Sequence, residues 1–373
     1  MRLRPSRLSA TLLLMVTAVS GIQAAEIAKG LSLDGYSDTI LTYTNEPHQP
    51  GGPSLAGQQT DLVDFSSMAK LKVGWHPNER IAGQVSVLFG NDSTNQATLS
   101  ESWMSVQVTS DLSWTMGRYL NHQGWIGPEP MALYRVQSST IGYADIYGND
   151  PLGTYLDWAP KDGPLAIQFH VTNGWFDPKD TANDTSVDRS ATDHRRSDLG
   201  LGLNFTITPC QEVHLELEAA WDPSSSQPEA SLTGKLPSDI VQLGLHTTVN
   251  GGDAWTFAGE VIHRWSVNGA VDEYGTATTR HDLNWLLVVN RKLPASFPSG
   301  SLTGMFQQVH SQWDNARPAP AISEFSAALL TNPLDTDRLG VNVEVAYVRV
   351  EGDRAATPNG TTTISLEALV VLP

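Results

Sequence analysis

The chain has 373 residues, with 23 Lys and Arg against 40 Asp and Glu, a formal charge of −17. That balance excludes a nucleic-acid partner, because phosphate binding needs a basic footprint. Charged residues are only 17 % of the chain while Gly (31), Pro (22) and Trp (11) are plentiful, a mix that suits many strands joined by turns and loops.

The chain opens with Arg2, Arg4 and Arg7, then the apolar run Leu8 to Gly21, then the small-residue stretch GIQAAE. This is the layout of a cleaved secretory signal, predicted to span 1–24 and to leave one domain over 25–373. Its removal leaves 20 bases against 40 acids. The run is too short for a membrane helix, and no later stretch is apolar enough to span as one.

From there the chain alternates. Residues 31–43 open the series. Val63, Phe65, Ala69, Leu71, Val73 and Trp75 share one face, opposite Asp64, Lys70 and Lys72. Residues 80–89 repeat the pattern, 97–109 and 111–119 follow more weakly, and 152–159 and 165–173 come next. Residues 199–207 set Leu199 to Ile207 against Gly200, Gly202 and Asn204. The strictest case is VHLELEAAW, with Val213, Leu215, Leu217, Ala219 and Trp221 on one side and His214, Glu216, Glu218 and Ala220 on the other. Further strands are predicted at 239–249, 254–267, 281–292, 301–313, 321–331, 338–350 and 364–372. The total is about sixteen, each near the 9–11 residues that a tilted membrane strand needs. No helix is predicted outside the signal.

The connections alternate too. Tight turns are expected at 76–79, near 110, and at 160–163, 209–212 and 250–253. Long ones are expected at 44–60, 120–151, 174–195, 222–238 and 268–280. Membrane barrels sort their loops in this way, with short periplasmic turns and long outer loops. Tyr43, Trp75, Phe89, Tyr119, Trp175, Trp221, Trp255, Trp265 and Trp313 lie near strand ends, where aromatic girdles sit at headgroup level. Lipid cannot hydrogen-bond a backbone, so a spanning sheet must close on itself. An all-β transmembrane antiparallel barrel is therefore expected, its apolar face toward lipid and its polar face toward a lumen wide enough for a channel.

The segments GLSLDGYSDTILTYT, SDLSWTMGRYLNHQGWIGPEP, SSTIGYADIYGNDPLGTYLDW and AIQFHVTNGWFDP resemble the OmpL-like β-barrel porins. The likeness covers most of 30–175. Its motifs are Gly117-Arg118-Tyr119, Gly127-Pro128-Glu129, the set Gly153, Tyr155 and Trp158, and Asn173-Gly174. The resemblance implies an outer-membrane porin of a Gram-negative bacterium, seated in outer-membrane lipid and inserted by the barrel-assembly machinery. One departure is the end Val370-Val371-Leu372-Pro373, where many such barrels end in an aromatic residue.

For function, the expectation is passive diffusion of small hydrophilic solutes and ions, with no chemistry, no cofactor and no metal. The long loop 120–151 is expected to fold inward, bringing Glu129, Arg135 and Asp145 toward Lys70, Lys72, Glu216, Glu218, Glu260 and Arg264 as a charged constriction. Acids exceed bases among the inward positions (Asp64, Glu216, Glu218, Glu260, Asp282, Glu344, Glu367 against Lys70, Lys72, Arg264, Arg338), which predicts cation preference. Glu216 and Glu218 are spaced as a hydrolytic acid pair could be, but no cleft signature joins them. The ten His show no metal spacing, and Asp177, Asp180, Asp184, Asp188 and Asp193 lack that of a calcium loop. Cys210 is alone and cannot form an internal disulfide. Three other readings remain: a channel selective for sugars or organic acids, a plugged barrel whose loops bind partners, and a barrel enzyme. A homo-oligomer stays open.

Overall fold

In a computed structural model, residues 30–45, 61–90, 97–125, 151–161, 163–175, 199–225, 238–271, 277–294, 299–313, 318–332, 339–351 and 360–372 are described. They form sixteen strands: β1 (Leu31–Asn45), β2 (Asp61–Asn78), β3 (Ile81–Gly90), β4 (Ala97–Gln107), β5 (Leu112–Arg118), β6 (Leu152–Trp158), β7 (Leu165–Thr172), β8 (Gly200–Cys210), β9 (Val213–Ser225), β10 (Ser238–Gly251), β11 (Trp255–Val271), β12 (Ala277–Lys292), β13 (Ser299–Trp313), β14 (Pro318–Asn332), β15 (Leu339–Glu351) and β16 (Thr361–Leu372). Each pairs antiparallel with its sequence neighbours, and β1 pairs β16, with Gly35 opposite Leu372 and Asn45 opposite Thr362. The sheet is a closed barrel, so no strand edge is left unpaired.

Every strand expected from alternation is present. Where the alternation was weak, the register supplies the reason. In β4, Ser86 faces Glu101 while Val87 faces Leu99, so Ser100 is an extra residue. This bulge shifts the outward positions from Leu99 to Ser102 and Met104. In β12 the run NWLLVV hides the period. Asn284, Leu286 and Val288 are buried within the barrel while Leu287 and Val289 are exposed outside.

One predicted loop is shorter than expected. Residues 268–280 were assigned to a long connection, but β11 runs to Val271 and β12 begins at Ala277. Small and polar residues there pair across the barrel rim, with Ala270 opposite Thr278, so composition alone misplaced the boundary.

The outward face is apolar. Phe65, Leu71, Phe89, Leu156, Phe169, Leu217, Leu245, Val261, Leu287 and Val345 are all exposed. Tryptophans mark its turn end: Trp75, Trp114, Trp158 and Trp255 are exposed, and Arg291 lies over the Trp255 ring at 5.0 Å. Trp221 is exposed near the other end of β9. On β11, Trp255 and Trp265 are both outward and ten residues apart. At about 3.4 Å per residue and a tilt of about 45°, that separation spans about 24 Å of height, the thickness of a barrel's apolar band.

Polar groups on this face are paired with one another. Gln308 accepts a hydrogen bond from the Trp285 indole (3.0 Å) and donates to the Ser323 hydroxyl (3.1 Å). Such pairing removes the penalty of an unsatisfied amide facing hydrocarbon. Trp285, Phe306 and Phe325 pack ring against ring beside it, at 4.6 and 4.4 Å.

Two girdle assignments are corrected. Tyr119 is 2 % exposed and Trp175 is 0 % exposed, because both turn into the barrel where β5 and β7 end. Tyr119 continues the inward parity of Thr115 and Gly117, whereas Trp175 lies three residues past Thr172, where alternation no longer applies.

Candidate functional site

Inside the barrel, residues 119–125 leave the top of β5 and run across the inner wall. Their anchors fall on five successive strands. The Tyr119 hydroxyl meets His170 on β7 at 3.2 Å, and His122 Nδ1 meets Gln168 on the same strand at 3.0 Å. Asn204 of β8 donates to the His122 carbonyl at 3.2 Å. The Gly124 N–H donates to Glu218 of β9 at 2.7 Å. Gln242 of β10 donates to Gln123 at 3.1 Å. The Trp125 N–H donates to Glu260 of β11 at 2.5 Å, and its indole N–H donates to Thr248 of β10 at 2.8 Å. A segment with no ladder of its own thus has its backbone donors taken up by two carboxylates, the stronger kind of acceptor.

The wall is shaped to receive it. A Cβ on Gly244 would stand 2.2 Å from the Glu218 carboxylate, so only glycine leaves room for that acid. Gly202 does the same for Trp175, whose ring would lie 2.4 Å from an added Cβ. Under the start of the segment, Tyr119, Tyr155, His170 and Trp175 form a continuous cluster, with ring centres 4.8, 5.0 and 5.3 Å apart in that order. Beyond its end, Trp125 packs on an apolar patch of the inner wall made by Ala258, Ile262, Leu286, Val288, Met305 and Val309.

The charges are ion-paired or hydrogen-bonded in groups. Lys70 pairs with Glu101 at 2.8 Å, and Ser86 donates to the same carboxylate at 2.9 Å. Asp282 accepts from Arg264 (3.1 Å), Arg280 (2.8 Å) and Ser311 (2.5 Å). Asn284 donates to Glu260 at 3.0 Å and accepts from Gln307 at 3.1 Å. Glu367 accepts from Asn342 at 2.5 Å. Glu216 lies 3.4 Å from His246 and 3.7 Å from His214.

Lys70, Lys72, Glu216, Glu218, Glu260 and Arg264 therefore all stand on the inward side of their strands, as alternation required. Openness is a different matter. Lys70, Glu218 and Glu260 are each 3 % exposed, covered by cross-strand partners or by residues 119–125, while Glu216 keeps 14 % of its side chain open. Glu218 is thus a support beneath the inner segment rather than a freely wetted wall charge. Glu129, Arg135, Asp145, Arg338 and the acids of 177–193 lie outside the described residues. Among the described residues, no group of His, Cys, Asp and Glu is arranged to hold a metal ion.

Sequence reasoning missed Trp125, Gln123, Asn204, Gln242, Thr248 and Arg280 as parts of this site. The visible signal was the stretch YLNHQGW, dense in hydrogen-bonding groups directly after a strand. Its partners on β8 to β11 come from up to 135 residues away, and nothing local announces them.

No family model matches the chain, and no curated protein matches it. Solved structures do match. OmpT of Vibrio cholerae, an outer-membrane protein, aligns with a TM-score of 0.56 at 10 % identity, over 94 % of this chain and 100 % of that one. An anion-selective porin of Comamonas acidovorans aligns at 0.57 and 10 % identity, over 92 % and 99 %. OprB of Pseudomonas putida aligns at 0.60 and 10 % identity, over 91 % and 94 %. The fold is the sixteen-strand barrel of outer-membrane porins. At this identity the likeness is one of architecture along almost the whole chain.

Proposed function

We propose that this chain is a porin of the outer membrane of a Gram-negative bacterium and lets small hydrophilic solutes and ions diffuse passively through a narrowed lumen. The observation that carries the reading is the inner segment 119–125, held across five strands inside a barrel whose outer face is apolar. A barrel that merely filled its interior would need no polar inner wall, and one that stayed fully open would need no inward segment. The fold likeness to porins supports the same reading. Residues 1–24 act as a cleaved export signal, 25–373 form the barrel, and the chain groups with the OmpL-like porins through the motifs around Gly117 and Gly153. No chemical step is assigned to it.

Acids dominate the described inner wall, and Glu216 keeps part of its carboxylate open where Glu218 and Glu260 are sealed. Weak cation preference follows from a wall field of that sign. Planar-bilayer recording of the purified, refolded protein tests both points. Ohmic steps and a reversal potential of cation sign in a salt gradient are expected, and a clear anion bias would overturn the selectivity.

A second reading has its own support. The burial of Lys70, Glu101, Glu218, Asp282, Glu344 and Glu367 fits a barrel closed at this depth. Absence of any conductance step, with intact heat-modifiable folding, would replace the channel by that plugged barrel.

A further inference from the structure

Three acids of the inner wall meet at one histidine. Strand pairing sets Glu216 of β9, His246 of β10 and Glu260 of β11 in a single row, all inward. Cross-strand neighbours of this kind stand about 4.5–5.5 Å apart at Cβ. Glu218 lies diagonally beside them, opposite Gly244, whose missing Cβ leaves room for its carboxylate. His246 is 7 % exposed, and its Nε2 is 3.4 Å from the Glu216 carboxylate, close but not aligned as a hydrogen bond. Among the described residues, neither ring nitrogen of His246 has a hydrogen-bond partner, and neither does Glu218 Oε1. An imidazole buried in this way costs free energy unless charge attraction offsets it.

The charges that face His246 are those of Glu216 and Glu218 from β9 and Glu260 from β11. The other titratable groups nearby are turned elsewhere or lie open. His214 of β9 is 44 % exposed, 3.7 Å from Glu216, with Nδ1 3.3 Å from the Thr208 hydroxyl. Arg264, further up β11, is paired with Asp282 at 3.1 Å. His122 of the inner segment meets Gln168 of β7 at 3.0 Å. His246 is therefore placed to act on one set of acids.

Two of those acids hold the inner segment, Glu218 through the Gly124 N–H at 2.7 Å and Glu260 through the Trp125 N–H at 2.5 Å. Buried carboxylates this close repel one another. Proton uptake relieves the repulsion but weakens each acid as an acceptor. A cationic imidazole among them removes the conflict, because all three stay ionised and both amide bonds stay charge-assisted. We propose that His246 is the positioning residue of the narrowed lumen, its charged imidazole fixing Glu216, Glu218 and Glu260 so that residues 119–125 stay docked on the wall. Docking is then complete while His246 carries its second proton and weakens as pH rises through the titration of the ring. The consequence for conductance rests on the diffusion-channel reading given above, whereas the docking itself does not.

His246→Lys, a fixed cation, and His246→Asn, a neutral side chain of similar size, test it in lipid bilayers from about pH 5 to about pH 8, the span over which histidine changes charge. Hydrogen exchange of peptides covering 119–125, corrected for its intrinsic pH dependence, reads the docking. Protection in the parent should fall several-fold across that span. His246→Lys should keep it throughout, and His246→Asn should lack it at both ends. Single-channel conductance should run the opposite way, rising with pH in the parent, low throughout in His246→Lys and high throughout in His246→Asn. Protection in His246→Lys that falls with pH as the parent's does would overturn the proposal, and so would an Asn variant with the parent's profile. Should the Asn variant not fold, the Lys variant decides alone. A parent without conductance steps but with pH-dependent protection would remove the channel reading and leave the role of His246 standing.

Discussion

The tall wall of β10 to β15 and the short wall of β5 to β7 solve one problem in opposite ways. The tall wall spans the apolar band by itself and pairs its few outward polar groups internally, as Trp285, Gln308 and Ser323 do. The short wall stops early. The residues that could have extended it, 119–125 after β5 and Trp175 after β7, turn inward and fill the barrel. Height lost outside is the same chain that narrows the lumen inside.

The two walls can be set against each other by mutation. The largest loss of barrel stability is expected from Leu287→Arg, which puts a charge on the lipid face of the tall wall. It should cost about 2–4 kcal/mol, read as a lower urea midpoint for unfolding from bilayers. A midpoint unchanged from the parent would mean that this wall does not face lipid. Next comes Gly202→Val beneath the short wall. The added side chain drives into Trp175, and overpacking of this kind costs about 1–3 kcal/mol. The expected sign is loss of thermal stability with altered tryptophan fluorescence.

Glu260→Ala joined to Glu218→Ala removes both carboxylates that hold the inner segment. Charge-assisted bonds of this kind are worth about 1.5–3 kcal/mol each, so the segment should loosen while the barrel still closes. Single-channel conductance should rise, and an unchanged conductance would show that residues 119–125 do not narrow the path. Glu216→Lys should move the reversal potential toward anions with little change in stability. The smallest structural effect is Trp285→Phe on the tall wall, about 0.5–1.5 kcal/mol for one hydrogen bond. It should leave conductance alone, since that ring faces outward.

Much of this architecture is written in the residues. Val213 to Trp221 alternates so strictly that the facing of Glu216 and Glu218 could be read without a structure, and the same holds for Lys70, Lys72 and Arg264. A period of two needs no distant partner. The pattern blurred where the period was interrupted or concealed, at Ser100 by a bulge and at Leu286-Leu287-Val288 by apolar residues on both faces. Tyr119 was misplaced although its parity with Thr115 and Gly117 points inward, and Trp175 because it lies three residues past Thr172, where alternation stops applying.

What the sequence determined by itself was which residues face in and which face out, because side-chain direction in a strand depends only on parity and lipid rejects polar parity. Tertiary structure alone decided which inward residues stay open. Glu216 and Glu218 share a face two positions apart. Yet one keeps contact with the lumen while the other is sealed beneath the Gly124 N–H, because the sealing segment arrives from 94 residues away and its path is fixed by packing across five strands.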